Sequence, residues 1–363
     1  MKRALLASVF VASIANACIN DSDTLAFELR NVDALRRVQQ ETDSQKKAAA
    51  AQEIALKAIG GRFERYPPQY YEMRIARLRA KPALTALEYD DLAVAYERLG
   101  KTDEAISILL KSKPHRKTKD DAYRFHANYG TFLVHKWLVQ KDRTNKKVLE
   151  QSISEIEEAL RINPNSHFGR EKVQLDLERH WFDGRPIVVK DGISQVVGLA
   201  GIVMMGLAYE LPDAYLLMAG HYFGAENSLL DGLALSRAKE LIAGQSKLVS
   251  QTIEKEALTW DLDTDVANAY KKLRDDGDAV HQARMAYMAE RFDRGEHPDT
   301  NPEFWRQWQE PPVPVLNIIP DPSIEKYNRL SVIATVALVT TGIAVLGTVL
   351  WRLRARERKS GDS

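Results

Sequence analysis

The sequence predicts an all-α chain, a solenoid of helical hairpins followed by one C-terminal transmembrane helix. Three observations predict it. From Thr24 to about Arg294 the apolar residues recur at three- and four-residue spacing, with few β-branched alternations. Pro and Gly fall between the periodic segments, at Gly60-Gly61, Pro67-Pro68, Gly100, Pro114, Pro164, Gly184, Pro212 and Gly244. Near the end, Leu330 to Trp351 is a run of 22 residues without a charge, long enough to cross about 30 Å of hydrocarbon.

Composition narrows the function classes. With 363 residues, 45% hydrophobic and 28% charged, the chain can bury a large core and is no disordered tail. Lys+Arg is 51 and Asp+Glu is 50, so no basic nucleic-acid footprint exists and no nucleic acid is expected as partner. A single cysteine allows neither an intrachain disulfide nor a cysteine-cluster zinc site.

Taken in order, residues 1–17 read as an export signal. Met1-Lys2-Arg3 carries the positive charge, Ala4 to Ala15 is apolar, and Ala15-Asn16-Ala17 is a small-x-small cleavage site. The run is too short to span a bilayer. Cys18 follows the site and resembles a bacterial lipobox cysteine, which implies acylation. An ordinary cut after Ala17 explains the same residues without lipid. An exported eukaryotic body would usually have disulfides, which one cysteine forbids, and the sole glycosylation acceptor, Asn20-Asp21-Ser22, lies against the cut, so a bacterial envelope protein fits better.

Residues 18–85 read as N-terminal helices, of which Ala48 to Ile59 is the clearest. Residues 86–166 carry a repeat. Tyr89, Leu92, Ala93, Tyr96, Gly100, Ala105 and Leu109 alternate small, large and turn residues at the spacing of a helical hairpin. Ala93 and Ala105 suit a close helix crossing, Tyr96 and Leu109 fill the space beside it, and Gly100 ends the first helix. A second copy follows, with Tyr129, Gly130 and Leu133 in its first helix and Ser152, Ile156, Ala159 and Pro164 in its second. Its halves are separated by roughly ten extra residues around Gln140 to Lys147. These positions resemble the tetratricopeptide repeat. The resemblance implies a stack of helical hairpins whose first helices form a concave peptide-binding surface. Carried over residue by residue, the candidate groove is Asp90, Val94 and Glu97 in the first copy and Arg124, Thr131 and Val134 in the second.

Residues 167–308 read as degenerate helical repeats. Within them Val196 to Tyr209 is the most hydrophobic stretch of the body, and it is too short to span. Residues 309–328 form a Pro-rich linker opened by Pro311-Pro312-Val313-Pro314, which could extend about 30–40 Å. The transmembrane helix is placed at 329–351. The basic tail at 352–363, with four arginines and Lys359, is placed in the cytoplasm by the positive-inside rule. The expected location is therefore the bacterial inner membrane, single-pass, with the body in the periplasm. The body from 18 to 328 carries a charge of −5.

No chemistry stands out. The eight histidines form no metal-binding spacing. Asp261-Leu262-Asp263-Thr264-Asp265 imitates a calcium loop, but Val266 and Lys272 stand where Gly and Glu are needed. No phosphate loop, dinucleotide fingerprint or nucleophile elbow occurs. No catalytic residue, metal ligand or cofactor is expected. The sequence thus reads as a non-enzymatic membrane-anchored scaffold that binds an envelope protein or peptide. The alternative is an envelope enzyme, for example a hydrolase, whose active residues converge from distant helices.

Overall fold

The computed structural model describes residues 20–24, 44–164, 169–185, 187, 192–205, 207–219, 228–244, 264–314 and 316. The export signal with Cys18, the transmembrane helix at 329–351 and the tail at 352–363 lie outside the described residues, as does most of the Pro-rich linker. The chain divides after Leu316, and every described residue belongs to the first unit. Among the described residues the regular structure is entirely helical, and no helix is long and apolar enough to cross a membrane.

The elements are α1 (Ser44–Gly60), α2 (Pro68–Arg79), α3 (Ala86–Arg98), α4 (Thr102–Lys111), α5 (Lys119–Leu138) and α6 (Lys147–Ile162). They continue as α7 (Arg170–Asp183), α8 (Gly192–Met205), α9 (Pro212–Ala219), α10 (Ser228–Ala243) and α11 (Thr264–Asp293). Each helix from α2 to α11 packs on the next. No break occurs at residue 86, because α2 packs on α3 as α4 does.

Local chemistry fixes the ends of the central helices. Thr85 caps α3 and Thr118 caps α5, each in a reciprocal capping box, with Glu88 and Asp121 returning the bond. Gly100 turns the chain between α3 and α4 at φ 72°, and Lys101 N–H closes the turn on the Tyr96 carbonyl at 3.0 Å. With only three residues between them, α3 and α4 form an antiparallel hairpin. Leu92, Ala93, Tyr96, Ala105 and Leu109 then share one buried cluster with Leu78 of α2 and Phe125 and Phe132 of α5. Tyr89 is half-buried, its ring 4.9 Å from that of His115. The α5–α6 pair repeats the logic: the Ser152 hydroxyl donates to the Gly130 carbonyl at 2.7 Å, and Ile156 and Ala159 are fully buried. The extra residues of this copy form a loop at 139–146.

Beyond α7 the array turns back on itself. Helix α8 is apolar all round, and Val196, Leu199, Ala200 and Val203 have no exposed surface, as a helix enclosed by its neighbours requires. It packs on α7, α9 and α1. Helix α1 also packs against α10 and α11. There the backbones meet at Gly277, where a Cβ would stand 1.9 Å from the Gly60 carbonyl oxygen. The residues after α11 return to α2: Tyr70, Tyr71 and Ala95 share a core with Met288, Phe292 and Phe304. The start of the linker is held as well. The Arg62 guanidinium donates to the Pro312 carbonyl at 2.8 Å and to that of Pro311. Among the described residues the first and last of these helices, α1 and α11, are thus in contact.

Candidate functional site

Helices α2, α3 and α5 turn a polar face inward. On α3 this face carries Asp90, Asp91, Val94 and Glu97, and on α5 it carries Arg124, Asn128, Thr131, Val134 and His135. Helix α2 adds Tyr70 and Arg74. Spacings of three and four residues align each set along one side of its helix.

The sequence expectation placed Asp90, Val94, Glu97, Arg124, Thr131 and Val134 on an open concave surface. The structure corrects this, since all six are buried and the most accessible, Arg124, is only 9% exposed. Asp90 receives Arg116 at 2.6 Å and Arg124 at 3.1 Å. Burial raises its pKa and the two guanidinium groups oppose that shift. Glu97 meets His135 Nδ1 at 2.9 Å with both side chains fully enclosed, and burial lowers the imidazole pKa against the opposing hydrogen bond and charge of Glu97. The Thr131 hydroxyl lies 3.3 Å from Gln174 of α7. Val134, His135 and Leu138 line a cavity with Leu177, Trp181 and Ile202 of about 20 Å³, room for one water and no larger ligand. The physical reason for the correction is the returning chain: α7 and α8 cover the α5 end of the face.

The α2–α3 end is covered by five residues, Asn20 to Thr24. Asn128 holds Asn20 at both backbone groups: its Oδ1 accepts from the Asn20 N–H at 2.7 Å, and its Nδ2 donates to the Asn20 carbonyl at 2.9 Å. A helical turn begins at Ser22, capped by Asp21, which accepts from the Thr24 N–H at 2.9 Å. The Ser22 N–H, left free by the turn, goes to Asp91 at 2.8 Å, and the Ser22 hydroxyl reaches the other Asp91 oxygen at 2.9 Å. Asp23 accepts from Arg74 at 2.8 Å and from the Tyr70 hydroxyl at 2.6 Å. Arg74 also pairs with Asp299, at 2.5 Å, from the returning chain.

The electrostatics of this seat are unbalanced towards acid. Arg74, itself fully buried, stands among Asp21, Asp23 and Asp299. Burial pushes the Asp21 carboxyl up to about 6; Asp23 adds to the rise, and Arg74, the Thr24 amide and Arg98 oppose it. Burial likewise pushes Asp91 up to about 7, with Asp21 adding and Arg74 and Ser22 opposing. Asp299 goes the other way, to about 2: burial would raise it, but the hydrogen bond and charge of Arg74, with His297 and Arg77, prevail. With Arg74 divided among Asp21, Asp23 and Asp299, burial prevails at Asp21 and Asp91 and holds both well above the usual carboxylate range.

Asn128 and Arg74 were not singled out from sequence, and Asn20-Asp21-Ser22 was noted only as a glycosylation acceptor; the adjacent Asp90 and Asp91, which read from sequence as a solvated face, are both buried. Asn128 and Arg74 carried a signal in hindsight, four residues after Arg124 and Tyr70 on the same faces. The turn carried only its polar composition. Among the described residues no group of three His, Cys, Asp or Glu is placed to hold a metal ion. No known protein family, curated protein or solved structure matches the chain.

Proposed function

We propose that this chain is a non-enzymatic, membrane-anchored helical scaffold of tetratricopeptide type in the bacterial envelope. In this reading the inner face of α2, α3 and α5 receives short polar segments of protein, and Leu330–Trp351 anchors the body to the inner membrane. The observation that carries it is the seat of Asn20–Thr24. There a side-chain amide takes both backbone groups of a residue, and an arginine takes a carboxylate two positions after the cap. Backbone recognition of this kind is indifferent to most side chains, which suits a binding face better than a fixed core contact. The two alanines of the α3–α4 crossing, both fully buried, and the glycine turn between them support the repeat type.

Selection of displayed peptides on the detergent-solubilised full-length protein tests the binding role. Peptides enriched on the wild type and lost on Asn128→Ala are expected. Enrichment of none, or of peptides that bind Asn128→Ala equally, would contradict the role.

A further inference from the structure

We propose that Asn20–Thr24 is a resident internal ligand, and that the external partner of this face is a peptide turn of acid–hydroxyl–acid pattern that displaces it. The inference rests on the reading of the inner face as a binding surface and specifies what that surface recognises.

Each position of the turn answers to a group on the face. The backbone before the cap is read by Asn128, through one accepted and one donated bond. The first acid caps the turn and faces Arg74 at 3.5 Å. The hydroxyl residue gives both its N–H and its hydroxyl to Asp91, which a residue without a hydroxyl satisfies only in part. The second acid takes Arg74 and the Tyr70 hydroxyl together. Asp90, in contrast, is already satisfied by Arg116 and Arg124 from its own hairpins. It therefore offers nothing to a partner. The recognition is set by Arg74, Asp91 and Asn128.

The resident turn differs from the other element that covers this face. Helix α8 is a run of apolar residues whose departure would expose a core. Asn-Asp-Ser-Asp-Thr has no apolar side chain beyond one methyl, so its departure exposes polar groups that water can satisfy. Its hold comes from directed bonds and from being tethered, which supplies an effective concentration in the millimolar range. An untethered turn of the same pattern must compete with that.

The experiment uses the full-length protein in detergent and a fluorescein-labelled synthetic peptide of residues 19–25, followed by anisotropy. The wild type, whose face is occupied, is expected to bind it weakly. Ser22→Ala combined with Asp23→Ala loosens the resident turn without touching the face, and should tighten peptide binding about tenfold. The same peptide with both aspartates changed to asparagine should lose that gain. A circular dichroism melt establishes that the double variant is folded. If it is not, Ser22→Ala alone, which keeps every charge, must still tighten binding by about threefold. Equal affinity for wild type and loosened variants, or undiminished binding of the asparagine peptide, overturns the inference. Failure of the binding role itself looks different, because peptide selection then yields nothing. Failure of this inference alone leaves selected peptides that lack the acid–hydroxyl–acid pattern.

Discussion

The outer seam and the inner face of the same helices are built on opposite principles. Between α3, α4 and α5 the seam is apolar and closed by shape, with Ala93, Ala105 and Leu109 fully buried. On another side of α3, the inner face buries Asp90, Asp91 and Glu97 instead. An apolar seam gains from every methylene removed from water and carries no group that titrates. A buried polar face gains little net energy, but it is sensitive to every missing partner. The seam thus fixes the hairpins, and the face sets what lies upon them.

The largest effect should come from breaking the face at its cation. Arg74→Met leaves Asp21, Asp23 and Asp299 without their shared partner, a loss of about 3–5 kcal/mol in chemical denaturation. A melting temperature within a degree of wild type would show that these acids are solvated. The seam should break by overpacking: Ala93→Leu or Ala105→Leu forces apart a contact with no spare volume, at about 1–3 kcal/mol. If both variants melt as the wild type does, the close crossing is wrong.

pH separates face from seam without mutation. Asp21 and Asp91 have raised pKa values in the folded protein, about 6 and 7, so their protonated forms favour the seated turn. Their contribution is complete below the ordinary carboxylate range near pH 4 and is lost as pH rises through 6 to 7. The groups that set it are Arg74, Arg98, Asp23, Ser22 and the Thr24 amide. Stability should fall between about pH 4 and pH 7, by up to about 1.4 kcal/mol per pH unit for each carboxyl that is protonated only in the folded protein, and level off above pH 7. Asp91→Asn should flatten the slope, whereas an identical slope in that variant would place the titration elsewhere. The smallest effect belongs to the helix ends. Thr85→Ala removes the capping box of α3 and should cost about 1 kcal/mol at every pH.

The seam was legible in the sequence because its information is local. Small and large residues at three- and four-residue spacing, with a glycine between them, all lie within a single hairpin. They led to Leu92, Ala93, Tyr96, Ala105 and Leu109, which the structure gathers in one core. The inner face was half legible. The tetratricopeptide resemblance put Asp90, Glu97 and Arg124 on one face, yet the closure of that face depends on chain more than forty residues away. Thr131 meets Gln174, Asn20 meets Asn128 across 108 positions, and Arg74 meets Asp299 across 225. No periodic pattern encodes such pairings. The hydrophobicity of Val196 to Tyr209 was the available hint, since a helix apolar on all sides must be enclosed by something.

Hydrogen exchange at the first residues of the body tests the account most directly. The Asn20 amide is bonded to Asn128 and the Ser22 amide to Asp91, although a polar pentapeptide alone would exchange freely. In the full-length protein these two amides should exchange about a hundredfold slower than free chain. Asn128→Ala should release them while leaving the α3–α4 amides protected. Exchange at the free-chain rate in the wild type would mean that the turn does not occupy the inner face, and the account built on that seat would fall.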